Sequence, residues 1–141
     1  MKIGVTGTRN APTQKQLDAV RKFLNAAQTH CRTEDDFLEL HHGDCVGADV
    51  AVAAIAKEFA IKTVCHPPSK DDLRAFFESN ETRVPTSYFA RNRNIVNETD
   101  FLIVVPWQTS PQKSGGTWYT HDYAIKQGKN VKIFYPENEN V

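Results

Sequence analysis

Apolar positions along the chain follow two alternating rhythms. Continuous short runs, KIGVTG (residues 2–7), FLELHHG (37–43), IKTVCHPP (61–68), FLIVVPW (101–107) and VKIFYP (131–136), read as strands. Between them the apolar residues recur at three and four. Leu17, Val20, Phe23, Leu24 and Ala27 form one stripe of a helix that Thr13 caps and that runs to about His30. Further helices are expected from Asp49 to Ala60, over SYFARNRNIVNETD (87–100), and from about Thr117 to Gln127, where Gly128 closes the last one. DDLRAFFE (71–78) reads as an additional helical turn, CRTEDD (31–36) as a loop, and Pro67 with Pro68 as the stop after the third strand.

The resulting order, β-α-β-α-β-α-α-β-α-β, is that of an α/β protein. Helices between strands imply right-handed crossovers, hence a Rossmann-like three-layer sandwich around a mainly parallel five-stranded sheet. FLIVV fits a strand covered on both faces. At 141 residues the chain is read as one domain, residues 1–136, with ENENV (137–141) as a frayed tail.

In such sheets ligands bind beyond the carboxyl ends of the strands. Three loops on that edge are glycine-rich: GTRN (Gly7, Thr8, Arg9, Asn10), GDCVGAD (Gly43 to Asp49) and SGGT (Ser114, Gly115, Gly116, Thr117). The last two open helices, where backbone N–H groups and the helix dipole favour an anion. Gly43 and Gly47 serve a tight turn, or let a ligand approach the backbone, or both. Asp44 and Asp49 are helix caps or partners for ribose hydroxyls. Arg91, with Asn92 beside it, is a candidate to hold a phosphate in a guanidinium fork, as is Arg9. Trp107 and Trp118 bracket the last loop, as a stacking surface for a base or as packing residues. Neither GK[ST] nor the full GxGxxG pattern occurs, which disfavours a P-loop ATPase and an ordinary NAD dehydrogenase.

Seventeen basic and seventeen acidic side chains leave no net charge, so nothing in the overall field favours nucleic acid. Cys31, Cys45 and Cys65 lack CxxC spacing, and the five histidines form no metal-ligand spacing, so neither a metal nor a cofactor is expected. With no signal-length apolar run and no membrane-length segment, a cytoplasmic location is the expectation.

GVTGTR, HGDCVGADVAVAAIA, RNRNIVNETDFLIVV and SGGTWYTHDYAIKQGKNVKIF, in this order, resemble the SLOG superfamily of Rossmann-like nucleotide-binding domains. That group includes the DNA-processing protein A fold, the Lonely Guy phosphoribohydrolases and small stand-alone YspA/YpsA-like proteins. The resemblance implies that Gly43, Gly47 and Asp49 shape one wall of a nucleotide pocket. Arg91, Gly115, Gly116 and Thr117 would take its phosphate side, and the chain would form a homodimer. The phosphoribohydrolase pattern P-G-G-x-G-T-x-x-E is broken in KSGGTWYTHD: Ser114 replaces the proline and Thr120 stands where the catalytic glutamate would fall. The primary expectation is therefore a sensor, carrier or sequestering protein for a small nucleotide or ADP-ribose-like ligand. The alternative is an N-glycosidase on a nucleoside monophosphate, with Asp49, His121 or Asp122 as its acid or base.

Overall fold

The computed structural model describes residues 1–31 and 37–137, so most of the CRTEDD loop and the tail from 138 lie outside the described residues. The elements are β1 (Lys2–Gly7), α1 (Gln14–His30), β2 (Glu39–His42), α2 (Ala48–Glu58), β3 (Lys62–Cys65), β4 (Glu81–Thr82), α3 (Tyr88–Glu98), β5 (Phe101–Val105), α4 (Gly116–Lys126) and β6 (Asn130–Ile133). All pair in parallel, in the order β4-β3-β2-β1-β5-β6. The chain steps outward from β1 through β2 and β3 to β4, then crosses to β5 on the other side of β1. The boundary between β1 and β5 is therefore the topological switch point, where parallel sheets leave a crevice.

Side-chain alternation on β5 assembles both cores. Ile103 and Val105 join Ile3, Val5, Val20, Leu24 and Val52 under α1 and α2, whereas Leu102 and Val104 join Val96 and Ala124 under α3 and α4. Complete burial of residues 103 to 105 explains why the run shows no polar alternation. Gly4 belongs to the α3 side: a Cβ there would stand 2.8 Å from Ile95 Cγ2. Its bareness lets the helix pack close to the strand. Thr13 forms a reciprocal capping box with Gln16. Buried Gln16 also donates to the carbonyls of Pro106 and Phe134, both at 2.8 Å, tying α1 to the ends of β5 and β6.

The sheet has six strands rather than five, and DDLRAFFE is not a helix. Both differences have one cause. Backbone groups of that segment bond across to the loop after β2 instead of to each other: Ala75 N donates to Asp44 O at 2.7 Å and Val46 N to Leu73 O at 2.9 Å. Phe77 N donates to the Asp44 carboxylate at 2.9 Å, and Arg74 Nε reaches it at 2.9 Å. Pinned in this way, the chain returns along β3 and adds the two-residue strand β4 through Val64–Glu81 and Cys65–Thr82.

Candidate functional site

A cavity of about 470 Å³ occupies the β1/β5 crevice, a size suited to a small organic ligand. Its floor is the end of β1 with Gly7 and Thr8. One wall carries Arg9, Asn10, Cys45 and Asp49, another Tyr88, Phe89, Arg91 and Asn92 from α3, and the far side Trp107, Gln108 and Ser114 to Trp118. Of the residues singled out from the sequence, Gly7, Thr8, Arg9, Asp49, Arg91, Asn92, Ser114, Gly115, Gly116 and Thr117 thus line one space.

Gly43, Asp44 and Gly47 do not line it. Gly43 and Gly47 are bare because protein fills the space beside them. A Cβ on Gly43 would meet Arg91 Nη1 at 2.5 Å and Asp49 Oδ2 at 2.8 Å. One on Gly47, whose φ is +92°, would run into Thr8 O and stand 2.6 Å from Arg9 C. Asp44, fully buried at φ +57°, spends its carboxylate on Arg74 and Phe77 N, so it anchors the 69–86 segment rather than facing a ribose. His121 and Asp122 also lie outside this cavity. They bond each other at 2.8 Å on α4, and Asp122 borders a neighbouring hollow of about 490 Å³ that shares Phe89 and Ser114 to Gly116.

Arg91 is only 4% exposed. Its Nη1 donates to Gly43 O and, at 3.1 Å, to His66 O; its Nε donates to Asn92 Oδ1 at 2.7 Å, and its Nη2 approaches Cys45 Sγ at 3.5 Å. A guanidinium has five N–H groups, so at most one remains for a ligand. Arg91 is chiefly a strut that locks the loop after β2 to the loop after β3. Arg9 differs: among the described residues it makes no ion pair, and its guanidinium lies 5.7 Å from the Tyr88 ring centre. Arg91 sits 5.6 Å from the same ring, so Tyr88 carries a cation from each residue.

Asp49 contributes an unusual carboxyl. Its Oδ2 accepts from Gly43 N at 3.1 Å and Cys45 N at 3.4 Å. Burial nevertheless pushes its pKa up to about 6, against the opposing pull of Arg91 and those two N–H groups. Burial likewise raises the neighbouring Cys45 thiol, which stays protonated at neutral pH.

The two glycine-opened helices end differently at the cavity. In α2 the first N–H is already used, since Ala48 N donates to Thr8 O at 2.8 Å. In α4 no side chain caps the N-terminus, and Gly116, Thr117 and Trp118 N–H have no acceptor among the described residues. A Cβ on Gly115 would meet nothing within 4 Å, and one on Gly116 only Asn92 Nδ2 at 4.0 Å. Open space in front of unpaired donors is the geometry of an anion site.

Aromatic residues complete the lining. Trp118 is buried and donates from Nε1 to Gln108 Oε1 at 3.0 Å, so it packs and orients. Trp107, 57% exposed, and Phe89, 53% exposed, present open ring surface beside the cavity. Cys45, Tyr88, Phe89 and Gln108 were not among the site residues expected from the sequence. Tyr88 was findable, because it stands three residues before Arg91 on one helix face.

No protein-family model and no curated protein matches the chain. Solved structures do. A molybdenum cofactor binding protein from Rippkaea orientalis superposes at a TM-score of 0.70 with 21% identity, over 94% of this chain and 74% of that one. DNA processing protein A from Streptococcus pneumoniae gives 0.67 with 19% identity, over 94% of this chain and 49% of that protein. These likenesses show a shared Rossmann-like α/β fold. A molybdenum cofactor carrier protein from Chlamydomonas reinhardtii gives 0.63 with 22% identity, over 94% and 74% of the two chains. Among the described residues no helix is long and apolar enough to cross a membrane.

Proposed function

We propose that this protein binds a small phosphate-bearing heteroaromatic ligand, a nucleotide or ADP-ribose-like molecule, in the β1/β5 crevice, as a carrier, sensor or sequestering protein. The single observation that carries this reading is the unpaired first turn of α4 facing the cavity. A phosphate there would accept from Gly116, Thr117 and Trp118 N–H, with Arg9 supplying a counter-charge. Trp107 or Phe89 would take the flat heterocycle by stacking, and Asp49 would receive a ribose or heterocycle hydrogen-bond donor.

Two neighbours of the same fold are described as molybdenum cofactor binding or carrier proteins, which supports including that cofactor among the ligands tested. Calorimetric titration against nucleoside monophosphates, ADP-ribose and molybdenum cofactor tests the proposal. Saturable binding that phosphate-free nucleosides cannot reproduce is the expected result. No binding by any member would remove the reading.

One observation keeps hydrolysis of an N-glycosidic bond as a second reading. Asp49 lies in the cavity with its pKa raised to about 6, so near neutrality it moves between acid and base. Chromatography of the same mixtures separates the two. Free base, lost in Asp49→Asn, would make the protein an enzyme; intact ligand would make it a binder.

A further inference from the structure

Away from the crevice, four ionisable side chains form a line beneath the outer part of the sheet. Glu39 Oε1 is 3.0 Å from His41 Nε2, His41 Nδ1 is 2.8 Å from His66 Nε2, and His66 Nδ1 is 3.7 Å from Glu98 Oε2. Both imidazoles are buried, at 0% and 2% exposure, yet His66 Nδ1 has no hydrogen-bond partner. Bare polar atoms in such a place call for an explanation.

Proton counting supplies one. A neutral imidazole has one N–H, so two imidazoles hold two protons for three gaps. An ionised Glu39 only accepts, which places the His41 proton on Nε2. His41 Nδ1 is then a lone pair and must accept from His66 Nε2–H. What remains is a bare lone pair on His66 Nδ1 directed at a carboxylate. Two acceptors facing each other at 3.7 Å leave space for a cation. In tetrahedral zinc sites nitrogen and oxygen ligands at about 2.0–2.2 Å stand roughly 3.3–3.6 Å apart, close to this separation.

We infer that His66 Nδ1 and Glu98 Oε2 ligate a divalent transition-metal ion of the zinc class, which ties the end of β3 to the last turn of α3. One imidazole and one carboxylate suit Zn²⁺ rather than Mg²⁺ or Ca²⁺, which prefer oxygen alone. His41 and Glu39 are positioning residues: a carboxylate–histidine relay behind a metal-bound histidine fixes its tautomer and raises its basicity. Ligand atoms of His41, His66 and Glu98 all lie within 4.8 Å of one another, so His41 is near enough to join after a ring rotation. Glu98 is 35% exposed, which gives the ion its route and leaves room for water in the remaining positions. Arg83 is the competitor, holding Glu98 Oε1 at 2.9 Å and approaching Oε2 at 3.4 Å.

A second group, His42, Asp44 and Cys65, is also compact, but two of its three members are committed. His42 Nε2 bonds Ser79 Oγ at 2.7 Å and its Nδ1 accepts from Asp44 N at 3.0 Å, while Asp44 holds Arg74. That group needs no ion.

The test is a titration with ZnCl₂, read by calorimetry and by long-range ¹H–¹⁵N spectra of the histidine rings. The expected result is one ion per chain, with His66 Nδ1 moving to a metal-bound shift and His41 keeping its proton on Nε2. Glu39→Gln should weaken binding about 10–100-fold without removing a ligand. Glu98→Gln should weaken it at least as much, and Arg83→Gln should tighten it, which a purely structural ion pair would not predict. A zinc-free spectrum with both His66 nitrogens protonated would overturn the inference, because a proton would then fill the gap. So would zinc binding that survives Glu98→Gln and disappears in His121→Ala. Where a variant does not fold, the wild-type spectra alone decide.

Discussion

The two glycine-bearing helix starts, GDCVGAD and SGGT, look alike in sequence and do opposite things in space. At the first, protein atoms crowd every position a side chain would need, and the first helical N–H is spent on Thr8 O. At the second, the space is open and the N–H groups are unpaired. One set of glycines lets the protein close on itself, and the other lets something else come close. A glycine before a helix therefore identifies a close approach, but not the approaching partner.

The sharpest way to break this comparison is to add one methyl group to each side. Gly47→Ala forces a Cβ against Thr8 and Arg9 at a φ of +92°, and should cost about 3 kcal/mol or more of stability in urea denaturation. Ligand affinity per folded molecule should change little. A loss below about 1 kcal/mol would mean that the loop yields easily and that its crowding is incidental.

Next in size is Arg91→Ala, which strands the Gly43 and His66 carbonyls. We expect about 2–4 kcal/mol of lost stability, with weaker binding following from a disordered wall. Arg9→Ala is the control on the open side: roughly 1.5–3 kcal/mol of ligand affinity, and almost no stability, because among the described residues its guanidinium makes no ion pair and meets only the Tyr88 ring, which Arg91 also covers. If the two variants behaved alike, the division between strut and ligand contact would fail.

Acid titration probes the closed side. Burial lowers the His42 pKa to about 4 from 6.5, so the unfolded chain takes up that proton first, and stability falls as pH drops from 6.5 through 4. Asp49 acts in the opposite sense. Its pKa rises from 3.8 to about 6, so the native state binds that proton more tightly, and its contribution is lost as pH rises across this window. Asp49→Asn removes the opposing effect. The variant's stability should climb more steeply with pH between 4 and 6, by a difference that integrates to about 3 kcal/mol. Parallel curves would show that Asp49 is not held in a desolvated site.

Smallest in stability is Gly116→Ala. Open space and a helical position should leave stability unchanged or raise it by about 0.5–1 kcal/mol, while affinity for a phosphate ligand drops several-fold. Lower stability with unchanged affinity would return SGGT to a structural turn.

What could be read in the sequence depended on the range of the interactions involved. FLIVV announced a central strand because both of its faces are apolar, and the Thr13 cap was legible because its partner Gln16 is three residues away. DDLRAFFE misled because its backbone partners, Asp44 and Val46, lie about thirty residues earlier, and a local helix pattern cannot report them. The same distance hid the role of Asp44, which has the residue type of a cap and the work of an anchor. His41 and His66 were invisible as a pair, since only the registered pairing of β2 with β3 sets them side by side. At the candidate site, residue types on the open edge were recognisable one loop at a time. Which of them face the cavity was decided by packing.

The most direct measurement of the central claim is a backbone amide titration by NMR with ADP-ribose, and separately with inorganic phosphate. The account predicts that Gly116, Thr117 and Trp118 N–H shift in both titrations, downfield as an anion accepts from them, while Ala48 N–H at the start of α2, already bonded to Thr8 O, stays in place. Shifts at the start of α2 with none at α4, or no shift at either helix, would contradict it.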